Sequence, residues 1–169
     1  MMDAVLNQEM HRVAVTAIIF RDDGRVLILQ RAPHKKQWPG KWTLPGGGLE
    51  TDDYTTHPPT YTDVGNQWYN VLHTAVRREV FEETGQEILK PWLVTDLGFI
   101  RNDGCPVLVL SYAADVRYEY IDVVLDDDSV AYAWVNLEEA KDFDLIEGIY
   151  HELELAFATW NVRKEKTKK

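Results

Sequence analysis

The sequence predicts a single mixed α+β domain, and three observations support this fold class. Strand-sized runs of β-branched and apolar residues occur in both halves of the chain, apolar residues recur at helical spacing in the middle, and an amphipathic segment closes it. The length of 169 residues is enough for one domain with a buried core. Because 45% of the residues are hydrophobic, the composition excludes wholesale disorder.

The first part of the chain predicts a β-hairpin followed by irregular structure. Residues 12–20 and 25–31 are apolar and β-branched, as is typical of strands. Residues 22–24, Asp-Asp-Gly, lie between them, and Asp-Gly tolerates the positive φ angles of a tight turn. The next segments are predicted, in order, to be a loop, a short extended stretch and a break in regular structure: residues 32–41, 42–44 and 45–48.

The clearest helix is predicted for residues 70–84, after a long loop at residues 50–67. Asn70 is a suitable N-cap, and Gly85 is a natural residue just beyond a helix end. An apolar stripe runs along this helix: Val71, Leu72, Ala75, Val76 and Val80. Further strands and a closing helix complete the prediction: residues 92–100, 107–116, 130–135 and 145–160.

The acidity of the chain excludes several classes of partner. Lys and Arg total 18 against 28 Asp and Glu, so the formal net charge is −10. Such a surface repels nucleic acids and anionic membranes, whereas a small polyanion needs a metal ion or a local basic cluster in order to bind. The terminal residues 161–169 are basic and are expected to form a frayed, solvated tail, with a contact to an anionic partner as the alternative.

The sequence contains no signal for a membrane or secretory location. No apolar run approaches the roughly 20 residues of a membrane span. Residues 1–11 lack a basic stretch followed by an apolar one, so we expect no secretory signal. Cys105 is the single cysteine and cannot form an internal disulfide, which favours a cytoplasmic location.

The segment from Arg78 to Gly85, REVFEETG, carries the chemical signal. Glu79, Glu82 and Glu83 stand at positions i, i+3 and i+4 of the predicted helix, so their carboxylates share one face. Like charges at this spacing oppose helix formation unless a cation neutralises them, and Mg²⁺ prefers carboxylate oxygens. A solvated acidic face is the alternative interpretation. The glycine run upstream favours the site, because backbone without side chains lets a ligand approach closely.

Together with Pro45-Gly46-Gly47-Gly48-Leu49-Glu50, this segment resembles the Nudix box. That pattern is a glycine, five residues, a glutamate, seven residues, and then Arg-Glu-aliphatic-any-Glu-Glu-any-Gly-aliphatic. The resemblance extends over roughly residues 11–157 and implies a Nudix-type α/β/α sandwich with a mixed β-sheet. It also implies Mg²⁺-dependent hydrolysis of a nucleoside diphosphate linked to another moiety, with Mn²⁺ as an alternative metal. A domain that binds a nucleotide without cleaving it, as a sensor, is the competing hypothesis.

The resemblance also assigns roles to residues. Glu82 and Glu83 are expected to be metal ligands, Glu79 a ligand or the general base, and the Gly46 carbonyl a further ligand. Arg78 is expected to orient or partly neutralise the acids. An alternative source of the base is the acidic run at residues 126–128.

Residues near the glycine run are candidates for substrate binding. Arg31 and Gly47 are expected to contact the substrate. Trp42 and Trp38 are candidates for stacking on a base, with a structural role as the alternative. Other basic residues cluster in the same segment: Lys35, Lys36 and Lys41.

The box departs from the family pattern by an insertion of 17 residues. Counting forward from Gly47 places the box glutamate at position 53, whereas counting back from Arg78 places it at position 70, and the difference is 17 residues. Asp53 and Asn70 occupy these positions, and Gln86 replaces the last aliphatic residue. The domain is therefore predicted to span residues 1–160 with an inserted loop at about residues 51–69. Aromatic residues in this loop favour a lid, a dimer contact or a self-packed loop, and a homodimer remains an alternative to a monomer.

Overall fold

The structure is a computed structural model that describes residues 10–118 and 122–167. Residues 1–9, for which no secretory signal is predicted, and the last two residues of the predicted tail lie outside this range. The strands are β1 (Arg12–Phe20), β2 (Val26–Arg31), β3 (Trp42–Thr43), β4 (Gly46–Gly48), β5 (Trp92–Ile100), β6 (Pro106–Asp115) and β7 (Ser129–Val135). The helices are α1 (Asp52–Thr55), α2 (Val71–Thr84) and α3 (Ile149–Thr167), with a 3₁₀ turn at Glu139–Asp142.

The described strands form one mixed sheet in the order β3-β2-β1-β6-β5, with β4 paired to β1 and β7 paired to β2. Strands β1 and β6 are parallel over their whole length, from Arg12 opposite Val107 to Phe20 opposite Asp115. The other named strand pairs are antiparallel. The predicted α+β class with a mixed sheet is thus confirmed.

Two core clusters cover the two faces of the sheet, because side chains alternate along β1. Val15, Ala17 and Ile19 are buried against helix α2. Ile18 and Phe20 point the other way and are buried against helix α3. The sheet therefore lies between two helical layers, as the predicted sandwich requires.

Helix α2 matches its prediction closely but not at its N-terminus. It ends at Gly85, whose φ of +67° allows the backbone to turn out of the helix. Asn70 precedes the helix in the left-handed conformation and makes no side-chain capping hydrogen bond. The predicted position of Asn70 is right, whereas the predicted cap interaction does not form.

The glycine run was predicted to break regular structure, and this prediction is wrong. Gly46–Gly48 is a short strand that pairs with residues 14–16 of β1. Gly46 has a φ of +151° and lies so close to Val15 that a Cβ atom would collide with its backbone. Glycine is required there because only glycine combines this backbone conformation with such a close approach.

The predicted boundary between the closing helix and a frayed tail is also wrong. Helix α3 begins at Ile149 rather than at residue 145 and continues through residues 161–167. The Lys164 ammonium lies 3.1 Å from Asp22, and the Arg163 guanidinium lies 4.2 Å from the centre of the Trp92 ring. The segment is therefore helical and contacts the turn after β1 and strand β5, although most of its side chains are exposed. Among the described residues, no helix is both long enough and apolar enough to cross a bilayer.

Candidate active site

A cavity of about 390 Å³ opens where strands β1, β2, β4, β5 and β6 meet the loop before β3. Its lining includes the glycine strand, two carboxylates of helix α2 and several basic side chains. The predicted site residues that line it are Arg31, Gly46, Gly47, Glu79 and Glu83. The fold therefore brings together residues that are up to 52 positions apart in the sequence, from Arg31 to Glu83.

The glycine strand is fitted to the two carboxylates of helix α2. The Gly46 amide donates a hydrogen bond of 2.8 Å to Glu83 Oε2. A Cβ atom on Gly47 would lie 2.5 Å from Glu79 Oε1. The missing side chain thus creates the space that the Glu79 carboxylate occupies, and the two acids are held side by side against one strand.

Glu83 is a half-buried acid without a basic ion-pair partner among residues 10–118 and 122–167. Burial raises its pKa to about 8, although the Gly46 amide favours the charged form. The negative charges of Glu79 and Asp126 raise this pKa further, while Arg31 lowers it. Burial also raises the pKa of Glu79, although Arg78 opposes this effect. Glu83 therefore lacks the paired positive charge that would stabilise its ionised form, whereas Glu79 has Arg78 beside it.

Arg78 organises the acidic helix and separates Glu82 from the other two acids. Its Nη1 atom lies 2.9 Å from Glu79 Oε1 and 3.0 Å from Glu82 Oε2. The Glu82 side chain is 56% exposed and does not line the cavity. Of the three acids predicted to share one helix face, Glu79 and Glu83 line the cavity and Glu82 does not.

Asp53, one of the two candidate positions for the box glutamate, contacts helix α2. Its fully buried carboxylate accepts hydrogen bonds from Arg78 Nε at 2.5 Å and Nη2 at 3.1 Å, and from the Glu50 amide at 2.8 Å. Arg78 Nη2 also donates to the Gly48 carbonyl at 3.0 Å. Asp53 therefore connects the end of the glycine strand to helix α2, and the extra residues of the box follow it in the sequence.

The inserted segment after Asp53 is a self-contacting loop in the described structure. Tyr61 and Gln67 form an isolated antiparallel bridge. The Trp68 indole donates a 2.8 Å hydrogen bond to the His57 carbonyl and packs against Tyr54 at 5.5 Å. No residue from 51 to 69 lines the cavity, so the lid and dimer interpretations stay predictions.

Several basic side chains also line the cavity. Arg31 donates through Nε to the Gln37 carbonyl at 2.9 Å, and burial lowers its pKa. Lys35 pairs with Asp128, which also lies 3.5 Å from His34. Arg12 and Arg101, which no sequence pattern indicated, also line the cavity. Arg12 begins β1 and Arg101 directly follows β5, and strand β6 lies between these two strands. Only the register of the three strands could therefore have indicated that both arginines line one cavity.

Two sequence candidates lie outside the cavity. Trp42 packs edge-on against Phe143 at 4.7 Å, within the core cluster under helix α3. Lys41 forms an ion pair with Asp144 at 2.5 Å. Trp38, in contrast, lines the cavity, and so does Asp128 of the acidic run. The position of Trp42 therefore agrees with the structural role that was the alternative to base stacking.

The donor set fits a hard divalent cation with water ligands. The Glu79 and Glu83 carboxylates both lie against the glycine strand, and carboxylate oxygens are ligands that Mg²⁺ accepts. Within the described part of the chain, no three His, Cys, Asp or Glu side chains are already arranged as a metal cluster. Glu82 joins the pair only if its side chain turns away from Arg78.

Comparisons with known proteins agree with this architecture. The family model of the NUDIX domain matches residues 10–58 and ends within the inserted segment. The nucleoside triphosphatase NudI of Salmonella agona is 27% identical over 164 residues, which cover 86% of this chain and 97% of the relative.

Solved structures show the same fold. The MutT protein of Methanosarcina mazei Go1 superposes with a TM-score of 0.64 at 27% identity, covering 89% of this chain and 95% of that one. The NUDIX domain of Shewanella oneidensis NrtR, complexed with ADP ribose, gives a TM-score of 0.67 at 20% identity and covers 90% of each chain. With the box residues gathered on one cavity, these similarities support the Nudix family and a pyrophosphohydrolase activity for this chain.

Proposed function

We propose that this enzyme uses Mg²⁺ to hydrolyse a nucleoside diphosphate linked to another moiety, and that nucleoside triphosphates are the first such class to test. The observation that carries the proposal is the pair Glu79 and Glu83, held against the glycine strand in a cavity that basic side chains also line. A substrate with several adjacent negative charges fits this distribution, because each phosphate needs a cation or a hydrogen-bond donor.

The metal would be held by the Glu79 and Glu83 carboxylates, with the Gly46 carbonyl and a reoriented Glu82 as further ligands. A bound divalent cation supplies positive charge beside the phosphate oxygens and lowers the pKa of water. Glu79 is either a ligand or the general base, and Asp126 and Asp128 are the alternative bases. In each case the base must lie within hydrogen-bond reach of the attacking water.

Arg12 and Arg31 are proposed to bind phosphate oxygens. A Cβ atom on Gly48 would lie 2.5 Å from Arg12 Nη2, so this guanidinium lies one residue along the strand from the Glu79 carboxylate. Arg31 is close enough to Glu83 to affect its pKa. Guanidinium groups bind phosphate in a bidentate manner and keep their charge at neutral pH.

The relatives favour nucleoside triphosphates as the first substrates to test. The matched Salmonella agona protein is named a nucleoside triphosphatase, and the match covers nearly all of its length. Nucleotide sugars and dinucleotides remain in the panel, because each also contains a nucleoside diphosphate.

The experiment is a panel of these substrates, assayed chromatographically for the nucleoside monophosphate or diphosphate released with Mg²⁺, with Mn²⁺ and with EDTA. We expect turnover of at least one substrate with metal and none with EDTA. Glu82→Gln should lower turnover at least about 100-fold, since loss of an indirect partner of a metal site already costs 10–100-fold. The exposed Glu87→Gln is the matched control. Tight binding of one nucleotide with no turnover of any would contradict the proposal and favour the sensor hypothesis.

A further inference from the structure

We propose that Trp38, together with Phe99, forms the platform on which the nucleobase of the substrate stacks. This inference rests on the proposed function, because it assigns the base of that substrate to one part of the same cavity. Both aromatic rings line the cavity and meet edge to face, with their centres 5.9 Å apart.

The register of the sheet places Phe99 at the end of an apolar floor. Arg12 lies opposite Val107 on β6, and Val107 lies opposite Phe99 on β5. The next row along the same face pairs Ala14 with Val109. The floor therefore runs from the Arg12 guanidinium, beside the glycine strand, to the Phe99 ring.

This arrangement separates a phosphate region from a base region. Glu79 and Arg12 lie against the glycine strand, where the charged part of a nucleotide would bind. Across Val107, the floor reaches the aromatic pair of Trp38 and Phe99. An aromatic face is suited to a nucleobase because every base has a π surface, and stacking contributes about 1–3 kcal/mol per base.

The backbone of Trp38 supports a binding role over a packing role. Its φ of +48° lies in the left-handed region, which a bulky side chain rarely adopts. Two backbone hydrogen bonds hold the loop in this conformation. The Arg31 amide donates to the Lys41 carbonyl at 2.9 Å, and the Lys41 amide donates to the Trp38 carbonyl at 3.3 Å. Strain of this kind persists where surrounding contacts impose it, and it is concentrated at ligand sites. The indole remains 41% exposed despite this cost.

The first measurement is binding, which does not require turnover. Tryptophan emission and calorimetry are recorded with AMP, GMP, CMP and UMP in Mg²⁺, and with ribose 5-phosphate as the probe without a base. We expect at least one nucleotide to quench the emission and ribose 5-phosphate to leave it unchanged. Trp38→Phe should remove the quench, whereas Trp68→Phe, in the inserted loop outside the cavity, should retain it.

The second measurement distinguishes a binding role from a structural role. Trp38→Gly removes the indole and suits the positive φ, so its melting temperature should equal or exceed that of the wild type. Its Kd for the quenching nucleotide should rise roughly 10-fold or more, in line with a lost stacking contact. Trp38→Tyr should restore most of the affinity.

The outcomes separate this inference from the proposed function. An unchanged Kd in Trp38→Gly, a quench that survives in Trp38→Phe, or the absence of binding by any of the four nucleotides would overturn the platform. Trp38-dependent binding without turnover of any substrate would support the platform and contradict the proposed hydrolysis. Turnover with a KM that does not depend on Trp38 would support the proposed hydrolysis and contradict the platform.

Discussion

Asp53 and Arg78 form an ion pair in which the carboxylate side chain is fully buried, and this pair fixes the glycine strand to helix α2. Burial acts to raise the pKa of Asp53, but the hydrogen bonds from Arg78 and the Glu50 amide outweigh it, so the pKa lies below its usual value. The pair maintains the separation between Glu79 and the strand, although neither member lines the cavity.

Asp53→Asn should therefore destabilise the protein at neutral pH. Removing one member of a buried pair leaves the other uncompensated, and we expect a loss of roughly 2–3 kcal/mol because Arg78 retains Glu79 and Glu82. A depressed carboxyl pKa contributes stability above its unfolded value of about 3.9, and this contribution is lost as the pH falls through the folded pKa. Urea unfolding at pH 7 and pH 3 should show the difference from wild type shrinking in acid. The exposed neighbour Asp52→Asn is the control, and an equal loss in both variants would contradict the assignment.

Glu83→Gln should abolish most activity without lowering stability in EDTA. The pKa of about 8 means that, without metal, the unfolded chain ionises this group from about pH 4.5 while the folded chain keeps it protonated. Wild-type stability should accordingly fall as the pH rises from 5 to 8, and the variant should lack this component. Thermal melts across this range check it, and Mg²⁺ at pH 8 should raise the melting temperature of the wild type alone. A variant that Mg²⁺ stabilises equally would remove Glu83 from the metal site.

Gly47→Ala should reduce kcat while the fold stays intact. The new Cβ would displace the Glu79 carboxylate, and a shift of about 1 Å at a catalytic group costs on the order of 100-fold in rate. The matched control is Gly98→Ala in strand β5, where the nearest atom to a Cβ is at an ordinary distance of 3.8 Å. Steady-state kinetics on both variants, with melting curves for folding, test the idea. Equal kcat values in the two variants would show that Glu79 needs no such space.

Arg12→Gln should raise KM for a nucleoside triphosphate by roughly 10-fold or more, since a hydrogen bond to a charged group contributes about 1.5–3 kcal/mol. The melting temperature should change little, because the side chain of Arg12 is exposed at the start of β1. Arg117→Gln, which removes an exposed ion pair with Glu87 remote from the cavity, is the control. A KM that stays at the wild-type value would exclude Arg12 from phosphate binding.

Glu152→Gln should stabilise the protein at neutral and alkaline pH. Glu152 is buried in helix α3 and accepts a hydrogen bond from Ser111, and burial raises its pKa although that hydrogen bond opposes the effect. Ionisation of the unfolded chain above about pH 4.5 therefore favours unfolding, and glutamine removes this penalty while keeping an acceptor for Ser111. Chemical denaturation at pH 5 and pH 8 should show a gain that grows with pH. The exposed Glu154→Gln should show no such trend; a similar trend there would refute the argument.

The sequence alone determined the elements that depend on local physics. Periodicity defined helix α2 and its end at Gly85, and β-branched runs located the long strands, because these patterns follow from the side-chain repeat of 3.6 or 2 residues. The spacing of Glu79, Glu82 and Glu83 predicted that they share one helix face, whereas the contact of Glu79 and Glu83 with the glycine strand came from the structure. The Nudix resemblance followed from the same residues.

The tertiary structure decided what depends on distant partners. Gly46–Gly48 is a strand only because β1 supplies its hydrogen bonds, and helix α3 continues through the basic segment because Asp22 and Trp92 receive its side chains. Local sequence carries no record of such partners, so Arg12 and Phe99 could be related only once β6 lay between them. Asp53 likewise acquired its role from Arg78, 25 positions away, because the fold brings the guanidinium to the buried carboxylate and so offsets the cost of burying its charge.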